Sequence, residues 1–333
     1  MEDWKKKGNI LEGEAYILYY LKGVGIPEVK SFGVYGKYKV LVQTLLGDSL
    51  EVLFGKMKYN LPIKDVCMIA IQLLDRLEFI HSKFIIHRDL KPDNIMIDLE
   101  TRRIIYLIDF GLAKKYRSER TGKHIKFTIP RRLTGTARFC SANALRGTEQ
   151  SRRDDLESLA YILIYLAKKG ILPWQGLNIT NKIERYKKIY YIKQNIRPEI
   201  LCKELPQEFL NFLKYAKGLN FEEDPNYDYL RGLFFKILNK NDLNFSWLKI
   251  YNIKENLQIK DFENKQGRIV NLKRKKSCLQ ARILKNIQTS KERQNNIKNI
   301  GENKLLSKIE EKQEQREKEY IKKKIKKGKN IKK

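Results

Sequence analysis

Eight consecutive residues, His87-Arg88-Asp89-Leu90-Lys91-Pro92-Asp93-Asn94, put a proton acceptor, a cation and a neutral oxygen donor into one short loop. Asp89 can take the proton of a hydroxyl. Lys91 can neutralise charge on a transferring phosphoryl group. Asn94 offers an amide oxygen of the hard kind that Mg²⁺ prefers. Downstream, Asp109-Phe110-Gly111 directly follows the apolar run 104–108. A hairpin between the two motifs would return Asp109 to the side of Asn94, so that two oxygen ligands converge on one metal. A lone Asp or Lys is better read as part of an ordinary charged loop. The octet as a unit, with an apolar hairpin behind it, argues for chemistry. His87 reads as a packing residue rather than a general base.

Elements of the right type stand where these residues need them. Residues 95–97 and 104–108 are short apolar runs with β-branched side chains, parted by the polar stretch 99–103, which predicts a hairpin. A second hairpin is predicted over 34–45, around Gly36-Lys37. Helical spacing marks 10–21, 62–81, 154–168 and 207–217. Strands first and helices after predict an α+β fold.

The octet fits the protein kinase catalytic-loop pattern, with Asn five residues after Asp. Other segments are similar to the casein kinase 1 family: GVGIP at 23–27, LLGDSL at 45–50, IHSK at 80–83, IDFGLAKKY at 108–116, LTGTAR at 133–138, EQSRRDDLESL at 149–159 and LPWQGL at 172–177. Where ordinary kinases carry Ala-Pro-Glu, this chain has Ser141-Ala142-Asn143, similar to that family's Ser-Ile-Asn. The resemblance runs from about 10 to 248.

It implies a two-lobed kinase fold over 1–250, with a hinge near 43–49 and a mainly helical C-terminal lobe. It implies ATP and Mg²⁺ as cofactors, and Ser/Thr phosphotransfer onto acidic or already phosphorylated protein substrates. Carried over by motif, Asp89 is the catalytic base, Lys91 the loop lysine, and Asn94 and Asp109 the metal ligands. Thr136 matches the activation-segment threonine that supports Asp89 and Lys91. Asp155 matches the helix aspartate that anchors the catalytic loop. Leu45 matches a hinge residue whose backbone meets adenine. The preceding Gln43 and Thr44 depart from the family's Met-Glu, which leaves adenine-pocket selectivity open. Arg138, Gly176 and Arg185 fall where the family binds an anion beside the substrate cleft. A planar, permanently charged fork suits phosphate. From the residues alone, Arg185 reads equally as a solvated helix face, since Lys182, Lys187 and Lys188 surround it. Trp174 reads as packing.

A kinase also needs a Gly-rich loop over the phosphates and a strand lysine paired with a helix glutamate. Glu14 matches that glutamate. The residues before it contain neither Gly-x-Gly-x-x-Gly nor Val-Ala-Ile-Lys, and Lys5, Lys6 and Lys7 read as a solvated basic end. A truncated N-terminal lobe with an open sheet edge is therefore expected. Two readings stay open: the sequence omits a 5′ portion of its gene, or the chain is a catalytically impaired pseudokinase scaffold holding phosphorylated or acidic partners.

The net charge of +30 over 333 residues calls for a negatively charged partner. More than half of it falls in 251–333, with 26 basic and 10 acidic residues. That stretch is too poor in apolar residues to offset its ordering entropy and reads as a disordered or partly helical tail. Runs of Lys and Arg at 273–276 and Lys at 322–333 suit nonspecific, salt-dependent contact with nucleic acid or an acidic membrane surface; a merely solubilising tail is the plainer alternative. Residues 273–276 could equally serve nuclear import. Cys67, Cys140, Cys202 and Cys278 are far apart, which argues against zinc or a disulfide framework and for a reducing compartment. The best apolar run, 156–167, carries Glu157 and is too short to span a bilayer. The expectation is a soluble intracellular protein, cytoplasmic or nuclear, with no transmembrane segment.

Overall fold

A computed structural model describes residues 2–3 by their backbone, and 10–129, 133–238 and 242–251 in full. These lie in the unit Met1–Leu257; a second unit, Gln258–Lys333, falls outside the described residues, and with it nearly all of the expected tail. Lys5, Lys6 and Lys7 fall outside them too.

Strand β1 (Glu2–Asp3) is followed by helix α1 (Ile10–Tyr20), whose Ala15 and Leu18 are buried. Next, β2 (Val29–Tyr35) and β3 (Tyr38–Gln43) form an antiparallel hairpin closed by Gly36 at φ +58°, with Tyr35 opposite Tyr38. This is the hairpin expected around Gly36-Lys37, begun five residues earlier than its apolar pattern suggests. β1 meets β3 only at Lys39 and Tyr38, so the sheet order is β1-β3-β2.

The stretch 43–49 after β3, expected as a hinge, is tied at both ends. The Thr44 N–H donates to the Glu28 carbonyl at 2.9 Å, and the Gly47 N–H to the Ile97 carbonyl at 2.8 Å. Ser49 then caps α2 (Leu50–Lys56) by accepting the Val52 N–H. α3 (Ile63–Ser82) is the longest helix of the described residues, and nearly every residue on its inner face is buried. Strand β4 (Ile85–Ile86) leads into the catalytic-loop motif. β5 (Ile95–Ile97) and β6 (Ile105–Leu107) form the predicted hairpin, Ile95 opposite Leu107. Asp98 builds the turn between them, accepting the N–H groups of Thr101, Arg103 and Ile104. β7 (Lys114–Lys115) returns to pair with β4.

Helices complete the body: α4 (Ala142–Arg146), α5 (Arg152–Ala167), α6 (Lys182–Asn195), α7 (Pro198–Leu201), α8 (Gln207–Gly218) and α9 (Tyr227–Ile237). In α5 every residue from Asp154 to Leu166 is buried. The apolar run 156–167 is thus the centre of the core, and no helix of the described residues is long and apolar enough to cross a membrane.

The described chain ends in a 3₁₀ turn, Ser246–Tyr251. Trp247 is buried, stacks on Phe245 and donates its indole N–H to the Arg102 carbonyl at 2.8 Å. The Tyr251 hydroxyl donates to Asp48 at the hinge, where Lys56 also pairs with Asp48 at 2.6 Å and Arg102 stacks over the Tyr251 ring.

Asp65 on α3 receives the Ser246 N–H at 3.0 Å, and burial pushes its carboxyl up to about 6. The folded chain therefore holds this proton more tightly than the unfolded chain. The stability it contributes is complete below about pH 4 and is lost as pH rises through 6. Asp65→Asn is expected to remove that part of the fall; urea midpoints of both proteins at pH 4, 5, 6 and 7 read it out, and parallel curves would refute it.

Candidate active site

The loop after β4 is built on one buried carboxylate. Asp155 of α5 accepts the N–H of His87 at 2.8 Å and of Arg88 at 2.9 Å, plus the imidazole Nε2–H of His81 at 2.8 Å. Burial alone would raise the Asp155 carboxyl. The hydrogen bonds from His81 and the His87 N–H outweigh it and hold the group below the ordinary carboxylate range. Burial pushes His81 down, so its ring is neutral. With Nε2 protonated, Nδ1 accepts from the Tyr227 hydroxyl of α9. The loop and α3 thereby meet α5 on one carboxylate, and α9 joins them through His81. Arg88 sits at φ +68°, a backbone state that costs free energy in a non-glycine residue and persists because these bonds impose it.

Asp89 lies just beyond, only 6% exposed. Its Oδ1 accepts from the Thr136 hydroxyl at 2.7 Å, and its Oδ2 from Lys91 Nζ at 2.8 Å. Asn94 donates its amide N–H to the Asp89 carbonyl at 3.0 Å and to Asp109 Oδ2 at 3.3 Å. The structure thus brings together Asp89, Lys91, Asn94, Asp109 and Thr136 from three separate sequence motifs. His87 is buried, as expected. Its Nε2–H donates to the Ile108 carbonyl at 3.0 Å, its Nδ1 accepts the Asp89 N–H, and its ring packs on Phe110. It couples the two motifs without facing solvent.

Thr136 reaches Asp89 because its neighbour is glycine. Gly135 adopts φ +100°, and a Cβ there would stand 2.4 Å from the Arg88 carbonyl oxygen. Gly135→Ala is expected to lift the segment off the loop and lower stability by about 1–3 kcal/mol. Urea unfolding checks this; an unchanged midpoint would mean that the segment yields without cost.

Asp109 has φ +62° and caps the turn Phe110–Leu112 by accepting the Gly111 N–H. Glu14 of α1 accepts the Phe110 N–H at 3.2 Å. Burial first, and then the charge of Asp109, push the Glu14 carboxyl up. Among the described residues no lysine or arginine forms an ion pair with Glu14. Lys91 is raised because Asp89, and behind it Asp109 and Asp93, outweigh its partial burial. Negative charge is in excess here, and the donors are hard oxygens, so the Asp109 carboxylate and Asn94 amide fit a magnesium ion. No three His, Cys, Asp or Glu side chains among the described residues are grouped to hold a metal by themselves.

Leu45, the expected hinge residue, is 76% exposed. The amide oxygen of Gln43, at the end of β3, is buried without a partner. Arg138 is exposed, Gly176 turns the chain at φ +66°, and Arg185 lies half-buried in the first turn of α6. These three make no hydrogen bond or ion pair to one another among the described residues. Trp174 is buried and donates its indole N–H to the Arg138 carbonyl at 2.7 Å.

Sequence reasoning overlooked Tyr227, Gly135 as an individual residue, and Lys193. Gly135 had a signal in its place inside LTGTAR; Tyr227 had none, since its partner lies 146 residues away.

A family model described as the protein kinase domain matches residues 2–224, about two thirds of the chain.

Proposed function

The chain belongs to the protein kinase family, and from that premise we propose that it is a Ser/Thr kinase of the casein kinase 1 type. It transfers the γ-phosphate of ATP to hydroxyls of acidic or already phosphorylated proteins. The observation that carries this is the convergence on Asp89: Thr136, Lys91 and Asn94 all contact it, and Asp109 lies against Asn94.

Each residue then has a definite task. Asp89 accepts the proton of the substrate hydroxyl, its carboxylate oriented by Thr136 at Oδ1 and by Lys91 at Oδ2. Lys91, charged throughout the neutral range, offsets negative charge on the group in transit. Asn94 and Asp109 would hold Mg²⁺, which when bound neutralises the phosphates of ATP. The Leu45 backbone would meet adenine. Arg138, Gly176 and Arg185 would receive the acidic or phosphorylated residue of the substrate, as the family resemblance implies. The kinase body corresponds to 1–250.

One second reading stands beside it, a catalytically impaired scaffold that holds phosphorylated partners; among the described residues Glu14 contacts the Phe110 N–H. One experiment separates the two. The full chain is incubated with labelled Mg·ATP and an acidic or phosphoserine-containing peptide, with Asp109→Asn as control. Asp109-dependent transfer to serine supports the kinase reading; peptide binding without transfer supports the scaffold. Proteins of this kind act inside cells, in the cytoplasm or nucleus, and the basic tail remains a proposed site of nonspecific contact with nucleic acid or acidic surfaces.

A further inference from the structure

α6 carries a lysine, Lys193, with no solvent exposure. Its ammonium donates to the Cys140 carbonyl at 2.6 Å and the Ala137 carbonyl at 3.0 Å. The nitrogen lies 4.6 Å from the Tyr161 ring centroid and 4.8 Å from that of Trp174, within cation–π range. The two rings meet edge to face. Trp174 holds the Arg138 carbonyl between the two that Lys193 holds. Above them, the N–H groups of Phe139 and Cys140 return to the Thr136 carbonyl at 3.0 and 2.9 Å, and the Thr136 hydroxyl rests on Asp89.

No carboxylate among the described residues forms an ion pair with Lys193. A buried ammonium without a counter-ion costs stability, and a methionine would fill the space without a charge. What the lysine supplies is a grip on two carbonyls at once.

Building on the kinase reading, we propose that Lys193 is a positioning residue: its ammonium sets the loop 136–140, and so places Thr136 on Asp89 and aims Arg138 at the substrate. The catalytic carboxylate and the substrate-facing arginine are thereby adjusted as one unit from beneath.

Protonation then matters. Burial pushes Lys193 down to about 8. The groups that bear on it are the Cys140 thiol, Glu157 of α5 and Lys217 of α8. Glu157 is engaged by the Tyr161 hydroxyl and the Ala142 N–H, and Lys217 donates to the Lys193 carbonyl. Burial pushes Cys140 up to about 11, so it keeps its proton where Lys193 loses one. A neutral amine at 193 keeps two N–H donors but turns a lone pair toward the ring faces, which loosens the loop.

The test compares full-length wild type, Lys193→Met and Lys193→Arg. Hydrogen exchange reads the Phe139 and Cys140 amides, and peptide phosphorylation gives kcat and KM between about pH 6.5 and 9.5. In Lys193→Met these two amides should exchange at least about tenfold faster while α5 amides do not change, since two charge-assisted bonds are lost. KM for the acidic peptide should rise more than KM for ATP. The alkaline fall near 8 in the wild-type profile should vanish in the Met variant and move upward in the Arg variant, which should also restore protection. Wild-type exchange at 139 and 140 in the Met variant overturns the proposal. If no protein transfers phosphate, the kinase reading fails while the exchange comparison still decides this one. Should Lys193→Met not fold, wild type decides alone: protection at the two amides that drops as pH passes 8 supports the proposal, and constant protection overturns it.

Discussion

Asp155→Ala is expected to destabilise the protein by about 3–5 kcal/mol, which shows as a large drop in the urea midpoint. The carboxylate is 1% exposed and accepts three hydrogen bonds. Its removal leaves the N–H groups of His87 and Arg88 buried without acceptors, each at about 1–3 kcal/mol. His81 also loses its acceptor, so its link to Tyr227 no longer has a fixed tautomer. Asp155→Asn should cost less, because one oxygen survives, but its NH₂ would then confront an N–H donor. A loss below about 1 kcal/mol for the alanine variant would mean that water or a neighbour replaces these bonds, and the anchoring role would fall.

The second large effect is on chemistry. Asp109→Asn is expected to reduce phosphate transfer by at least about a hundredfold, the scale for losing one preorganised charge-stabilising group, while stability stays level or rises. The backbone of Asp109 is left-handed, and asparagine is among the few side chains that tolerate that state. The amide oxygen can still accept the Gly111 N–H. The substitution also removes a charge that pushes Glu14 up. What disappears is the anionic oxygen proposed to hold Mg²⁺. Initial rates against magnesium concentration, together with a thermal melt, check both halves. Comparable rates at saturating magnesium would exclude Asp109 as a metal ligand.

The grouping proposed as the active site was legible in the sequence because such chemistry compresses its residues: Asp89, Lys91 and Asn94 fall within one loop, and a short hairpin returns Asp109 beside Asn94. Residue type and spacing carry that information without tertiary contacts. The periodic helices were legible for a similar reason, since α1, α3 and α8 each bury one face. α2, α4 and α7 escaped because they are four to seven residues long and leave no periodic stripe. α6 escaped because charged residues interrupt its apolar ones and only Ile189 and Lys193 are fully buried, which leaves no clean apolar stripe. That buried lysine shows the limit: a residue type that normally marks solvent sits in the core because of carbonyls 53 and 56 positions away. The Arg138, Gly176 and Arg185 grouping came from resemblance alone, and its anion-binding role awaits the peptide experiment.

The clasp between Tyr251 and Asp48 closes a span of 203 residues. The entropy of bringing two chain points together falls only slowly with their separation once a body exists, but before that a contact this distant has little to hold it. It can persist only when α3, the β5–β6 hairpin and Trp247 are already in place to carry its two ends. A chain ending before Tyr251 would lack this tie at Asp48, whereas every hydrogen bond described above to Asp89 and Asp155 lies among residues it would retain.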